Sequence, residues 1–285
     1  MFSDLIINFQ IMFSNLKFRA FFIILLGLCS FNIGSAQDLT LFKYEQLIDR
    51  SDTLNYRILY PKNFDSSKQY PLILFLHGAG ERGNDNEAQL IHGSKLFLDN
   101  YNSDAFPTIV VVPQCPKEDY WSNVKRDYSK TGLDKFKFKR MGKPTKAMKM
   151  VIALMDGIAK NPYVKKDQIY VGGLSMGGMG TFDILKWRAD MFAAAFPICG
   201  GGHPKSVKKY ADKVAFWIFH GGEDDVVHPY FSLSMLTALQ KQRADVKLTY
   251  FEHDNHNSWD STFAESQLFP WLFSKSKTLT NEKTN

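Results

Sequence analysis

Residues 168–178 constrain this chain more than any other stretch. Gln168-Ile169-Tyr170-Val171-Gly172 reads as an apolar strand and Gly173-Leu174-Ser175-Met176-Gly177-Gly178 as a very tight turn, with a helix following to Arg188. A serine in such a turn sits on strained backbone, and its hydroxyl projects from the end of the sheet. Small neighbours at Gly173 and Gly177 let strand and helix close around it, and Gly178 extends the small surface into the first helical turn. An ordinary glycine-rich strand-to-helix turn has the same pattern, so the meaning of Ser175 depends on its partners.

The surrounding pattern is layered. Residues 42–47 and 54–60 alternate apolar and polar around the turn Asp49-Arg50-Ser51-Asp52, as in a hairpin. Pro71-Leu72-Ile73-Leu74-Phe75-Leu76-His77 is instead apolar almost throughout, as expected of a parallel strand covered on both faces. Similar runs occupy 108–113, 168–174, 193–198, 214–220 and 246–251, and helical patterns fall at 86–98, 145–160, 176–188, 229–243 and 258–274. This alternation predicts an α/β fold with a mostly parallel, doubly wound sheet and an antiparallel N-terminal start. Residues 125–149 depart from it: they are basic, with Phe136 and Phe138 interleaved, and read either as a lid or as a solvated connection into a helix starting near Pro144.

At 285 residues and 45% hydrophobic content the chain can bury one large core. The formal charge of +6 is spread without a basic block, and no nucleic-acid motif is present. Lys17 and Arg19 precede the apolar run 20–28, and Gly34 and Ala36 suit a signal peptidase cutting after Ala36. That run is shorter than the roughly 20 residues of a membrane span. The expected organisation is therefore a signal peptide at 1–36, one catalytic domain at 37–274 and a frayed polar tail at 275–285, in an exported protein with no stable membrane span. Cys115 and Cys199 follow two strand-like runs and read as two separate buried thiols, with a disulfide between them as the alternative if those strand ends meet. Neither has zinc-ligand spacing, so no metal and no cofactor is expected.

A serine becomes a good nucleophile only when a base takes its proton, and the base needs a carboxylate to fix its tautomer. Both residue types stand at later strand ends, where ligands gather in open sheets. The run 214–220 leads into Gly221-Gly222-Glu223-Asp224-Asp225-Val226-Val227, and 246–251 into Glu252-His253-Asp254-Asn255-His256-Asn257-Ser258-Trp259. We take Asp224 as the acid, with Asp225 and Glu223 as alternatives in the same loop. We take His256 as the base over His253, because it lies deeper in its loop. His77 and His220 each precede a glycine at a strand end and are read as hydrogen-bonding supports. An oxyanion needs amide donors; one is Met176, directly after the serine, and the other belongs to the loop His77-Gly78-Ala79-Gly80-Glu81-Arg82-Gly83. Ala79 is assigned there, with Gly80 as runner-up. Glu81 and Arg82 are expected to pair and hold the loop. A phosphate-binding reading of this loop fails, since no Gly-Lys-Ser/Thr follows.

Residues 74–86, Pro113-Gln114-Cys115-Pro116 with Trp121, 173–178, 220–227 and 256–260 resemble bacterial secreted esterases of the α/β-hydrolase superfamily. These are the phospholipase/carboxylesterase or peptidase-like group related to feruloyl and acetyl-xylan esterases and to polyhydroxybutyrate depolymerase-like enzymes. The similarity runs from about Tyr56 to Trp271. It departs at Val227-His228-Pro229, where relatives more often have valine and proline adjacent, which keeps Asp225 open as the acid. The resemblance implies the α/β-hydrolase fold and ester hydrolysis through an acyl-enzyme, on a small-molecule or polysaccharide-linked ester. It also places Trp121 on a loop after a strand. Trp121 and Trp259, the latter beside the base, are expected to border the substrate. The alternatives are a prolyl-oligopeptidase-type serine peptidase, for which too few residues precede His77 to form a propeller, an acyltransferase with the same triad, and a catalytically silent binding protein on the same fold. Oligomeric state is not encoded in any of these motifs.

Overall fold

The computed structural model describes residues 37–140 and 142–278. The expected signal peptide at 1–36 and the end of the tail lie outside the described residues. Eight strands form one sheet in the order β1-β2-β4-β3-β7-β8-β9-β10: Lys43–Asp49 (β1), Asp52–Leu59 (β2), Tyr70–Leu76 (β3), Ile109–Pro113 (β4), Val164–Leu174 (β7), Ala194–Ile198 (β8), Ala215–Gly221 (β9) and Val246–Phe251 (β10). β2 is antiparallel to both β1 and β4, and the other pairings are parallel. This is the mostly parallel sheet with an antiparallel start expected from the strand pattern, and it is the α/β-hydrolase sheet that the resemblance implies.

Period-two side-chain geometry explains why β3 is apolar throughout. Leu72, Leu74 and Leu76 enter one core with Met148, Val151 and Leu154 of α2 (Lys146–Ile158) and Phe182 of α3 (Met176–Arg188). Ile73 and Phe75 enter the opposite core with Phe97 and Leu98 of α1 (Ser94–Ser103) and Leu268 of α6 (Leu268–Phe273). Both faces are covered, so an alternating polar residue would be stranded in either core.

Several boundaries differ from the sequence reading for local reasons. The pattern at 86–98 is interrupted: Asp85 Oδ1 accepts from the Glu87 and Ala88 amides at 2.7 and 2.9 Å, starting a short 3₁₀ turn, and α1 begins only after Gly93 at φ +93°. The pattern at 258–274 splits into α5 (Trp259–Phe263) and α6, where Glu265 Oε1 accepts from the Gln267 amide at 3.0 Å and restarts the turn. Thr145, not Pro144, caps α2, its hydroxyl accepting from the Met148 amide at 3.1 Å. Residues 125–149 include β6 (Phe136–Phe138) of a small antiparallel hairpin with β5 (Val124–Arg126). Phe136 and Phe138 anchor it edge-on to Phe231 of α4 (Tyr230–Lys241), so its aromatics pack inward. The first tail residues are tied down: Tyr170 donates to the Lys275 carbonyl at 3.0 Å and the Lys277 amide to the Asp167 carbonyl at 2.9 Å. Cys115 and Cys199 are separate buried thiols. Among the described residues no helix is long and apolar enough to cross a membrane.

Candidate active site

Ser175 joins β7 to α3 with φ 53° and ψ −114°. Such backbone costs a non-glycine residue about 1–3 kcal/mol and persists only where its surroundings hold it. Here the Ser175 amide donates to the Ile198 carbonyl at 2.9 Å and lies 3.2 Å from Cys199 Sγ, at the end of β8. The two flanking glycines are required by close approach. A Cβ on either Gly173 or Gly177 would run into the carbonyl oxygen of Leu76, the last residue of β3.

The acid and histidine loops follow neighbouring parallel strands, β9 and β10, and cross at glycines. A Cβ on Gly221 would strike the Asp254 and Asn255 carbonyls, and one on Gly222 the Glu252 carbonyl. Asn255 staples the crossing, its Oδ1 accepting from the amides of Asp225 at 3.3 Å and His256 at 2.6 Å. His256 Nδ1 then lies 2.8 Å from Asp224 Oδ2 and 3.0 Å from Oδ1, while its Nε2 lies 2.9 Å from Ser175 Oγ. Burial pushes the Asp224 carboxyl up, but hydrogen bonds from His220 and His256, the attraction of an imidazolium whenever His256 is protonated, and the Val227 amide outweigh it and hold the group well below the usual carboxylate range. An ionised carboxylate only accepts, so His256 Nδ1 carries the proton and the Nε2 lone pair faces the serine hydroxyl. Asp224 Oδ1 also accepts from the Val226 and Val227 amides at 2.9 and 2.8 Å, which fixes the carboxylate plane. Glu223 and His253 instead face each other at 3.6 Å on the surface, and Asp225 is exposed.

The loop after β3 is held by the segment after β4. The Cys115 amide donates to His77 Nε2 at 2.9 Å, so the ring proton sits on Nδ1, which donates to the Gly78 carbonyl at 2.6 Å. Complete burial lowers the His77 pKa to about 4 and keeps the ring neutral. Gln114 accepts from the Asn86 amide at 2.7 Å and donates to Asp85 at 2.8 Å, and the Gly83 amide donates to the Cys115 carbonyl at 3.0 Å. Ala79 is half-buried in this loop; a Cβ on its neighbour Gly78 would lie 3.8 Å from Ser175 Cβ and 2.8 Å from Glu81 Oε2. Met176 opens α3, and its amide is one of those a helix leaves without an intrahelical acceptor.

Two expectations about this loop need correction. Glu81 and Arg82 do not pair: Arg82 donates to the carbonyls of Ala79, Lys117 and Asp119, whereas Glu81 faces His92 at 3.8 Å and His77 at 4.0 Å. Trp121 is fully buried and offers no face to a substrate; its indole N–H donates to the His77 carbonyl at 3.1 Å, supporting the loop from beneath. Trp259 is half-buried and edge-on to His256 with ring centroids 5.4 Å apart, and the His92 ring lies 5.0 Å from it. Arg82 does hold the loop, as expected, but through backbone carbonyls and not through Glu81; sequence reasoning missed the loop-holding role of Gln114 and the staple Asn255. Gln114 alone carried a signal, a polar residue directly after the buried run 109–113. Cys199 Sγ, Asp224 and His256 bring metal-ligand atoms within 4.8 Å of one another, but each is already engaged within this hydrogen-bonded cluster.

Sheet order, elbow and loop placement define the protein as an α/β-hydrolase. Within that superfamily the phospholipase/carboxylesterase family model matches residues 64–269, and the chain belongs to that family. A thermostable esterase of known structure is 31% identical with a TM-score of 0.73, over 84% of this chain and 64% of its own. Dipeptidyl-peptidase 4 of Giardia intestinalis is 24% identical over 74% of this chain but 31% of its own length. A bifunctional acetylxylan esterase/xylanase of Neocallimastix patriciarum is 29% identical over 40% of this chain and 18% of its own. The chain thus spans less than a third of either curated relative. A ferulic acid esterase shares the fold with a TM-score of 0.60 at 18% identity, over 81% of this chain and 96% of its own.

Proposed function

We propose that this protein is an exported serine esterase that cleaves carboxylic esters through an acyl-enzyme. The observation that carries the reading is the 2.9 Å contact of His256 Nε2 with Ser175 Oγ, on a ring whose Nδ1 is committed to Asp224. His256 takes the Ser175 proton as Oγ attacks the ester carbonyl, and the amides of Met176 and Ala79 stabilise the oxyanion. His256, now an imidazolium held by Asp224, returns its proton to the departing alcohol. Water enters and loses a proton to His256 as it attacks the acyl carbon, and His256 hands that proton to Ser175 Oγ as the acid departs. The acetylxylan esterase and ferulic acid esterase among the similar proteins support acetyl or feruloyl esters on polysaccharide as the substrate class, with Trp259 beside the acyl or sugar group. The basic residues before the apolar run at 20–28 and the small residues near Ala36 support export.

The match to dipeptidyl-peptidase 4 favours a second reading, serine peptidase activity from the same residues. A panel of p-nitrophenyl acetate, acetylated xylan, methyl ferulate and prolyl amides separates the two. Ester cleavage is expected to dominate, and amide cleavage well above ester cleavage overturns the esterase assignment. A fluorophosphonate probe is expected to label the wild type but not Ser175→Ala; equal labelling removes Ser175 as nucleophile.

A further inference from the structure

Asp224 has a second histidine. His220, near the end of β9, is wholly buried, and its Nε2 lies 2.8 Å from the Val227 carbonyl and 3.2 Å from Asp224 Oδ2. Both neighbours are acceptors, so Nε2 carries a proton and donates into the gap between them. Nδ1 lies 2.7 Å from Ser232 Oγ on α4, which is itself 3.0 Å from the Gly200 carbonyl. The ring is therefore held at both nitrogens, by the acid loop at Nε2 and by Ser232 of α4 at Nδ1, and Asp224 Oδ2 has two imidazoles beside it, His256 at 2.8 Å and His220 at 3.2 Å.

We propose that His220 is a positioning residue for the esterase reaction: it fixes the Asp224 carboxylate toward His256 and draws off part of its negative charge, tempering the basicity of His256. The inference rests on the triad reading above. A carboxylate serving one imidazole concentrates its charge there and stabilises the imidazolium; one shared between two does so less. The other groups facing Asp224 are the amides of Val226 and Val227 and the Cys199 thiol, whose burial pushes its pKa far up and keeps it uncharged. Glu223 and Asp225, from the same loop, are exposed, and Glu223 faces His253. His220 is thus the one side-chain donor besides His256, among the described residues, that approaches this carboxylate, at 3.2 Å and with its N–H shared with the Val227 carbonyl.

The test is the pH profile of kcat/KM on p-nitrophenyl acetate for wild type, His220→Asn and His220→Gln. Asparagine keeps a polar atom near Ser232 but cannot reach Asp224, whereas glutamine places an amide N–H near the Nε2 position. His220→Asn is expected to lose about tenfold in kcat/KM and to move the acidic limb up by about 0.5–1 pH unit, because His256 then binds its proton more tightly. His220→Gln is expected to recover most of both. An unmoved limb in His220→Asn, or a glutamine variant no better than asparagine, overturns the proposal. Nitrogen-15 NMR of histidine-labelled wild type gives a reading independent of variant folding: His220 protonated at Nε2 is expected, and an Nε2 without a proton overturns it. A Ser175→Ala protein that still labels with fluorophosphonate brings down the triad reading and this inference together. Ser175-dependent activity with an unmoved limb brings down the inference alone.

Discussion

Gly177, the second residue of the helix that follows the serine, lies so close to the carbonyl of Leu76 that any β-carbon there would overlap the oxygen. The contact joins the end of β3 to the start of α3 and brings the loop that follows β3 over Ser175. Backbone on both sides leaves nothing flexible to yield. Gly177→Ala is expected to cost about 3 kcal/mol or more, read by chemical denaturation. Gly80, in the loop itself, has no atom within 4 Å of its missing Cβ, so Gly80→Ala is expected to stay within about 0.5 kcal/mol of wild type. Equal effects would mean that the packing of the elbow is not what demands glycine.

Asp224 and Asp225 are neighbours with opposite environments, one buried against two histidines and the other exposed. Asp224→Asn removes the acceptor that orients His256 and is expected to lower kcat by about 10³–10⁴. Asp225→Asn is expected to leave kcat within about twofold, since only its amide touches the site, through Asn255. Steady-state kinetics of the two variants decides the acid, and a larger loss from Asp225→Asn reverses the assignment.

Trp121 supports the loop without reaching its outer surface. Trp121→Phe leaves the buried His77 carbonyl without its donor and is expected to cost about 1–3 kcal/mol in denaturation. KM for a small ester is expected to stay unchanged, because the ring touches no substrate. A raised KM at full stability would put the indole back in the substrate site.

His77 links stability to pH. Its pKa is lowered to about 4 in the fold against an ordinary 6.5, so between these values the unfolded chain binds more protons than the folded one. The stability present above pH 6.5 is therefore lost as pH falls toward 4, by roughly 3 kcal/mol from this group. Denaturation midpoints of wild type at pH 7 and 4.5 are expected to separate more than those of His77→Asn, which retains a donor for the Gly78 carbonyl but no group that titrates there. Equal separations would show that His77 protonates freely in the fold.

The inner parallel strands were legible residue by residue because burial on both faces leaves a local mark; β10, expected to be buried likewise, is half-exposed because it lies at the edge of the sheet. Tyr70–Leu76 is apolar in every position, and Gly173, Ser175 and Gly177 announce the turn before any contact is known. The helical patterns at 86–98 and 258–274 were less faithful, since a carboxylate that caps a new turn competes with continuation of the old one. Asp85 and Glu265 do this, and apolar spacing does not reveal it.

By itself, then, the sequence determined the class of fold, the elbow and the set of strand ends that carry a serine, an acid and a histidine, because periodicity and turn chemistry act over a few residues. Only the tertiary structure decided which acid meets the histidine, that Trp121 faces inward, and that His220 shares the carboxylate of Asp224. Asp224 and His256 are 32 residues apart, and their 2.8 Å contact depends on two loops crossing at Gly221 and Gly222. Hydrogen bonds are satisfied within tenths of an ångström, whereas the patterns that place strands are satisfied by any side chain of the right polarity. That difference in tolerance separates what the residues announce from what only their packing selects.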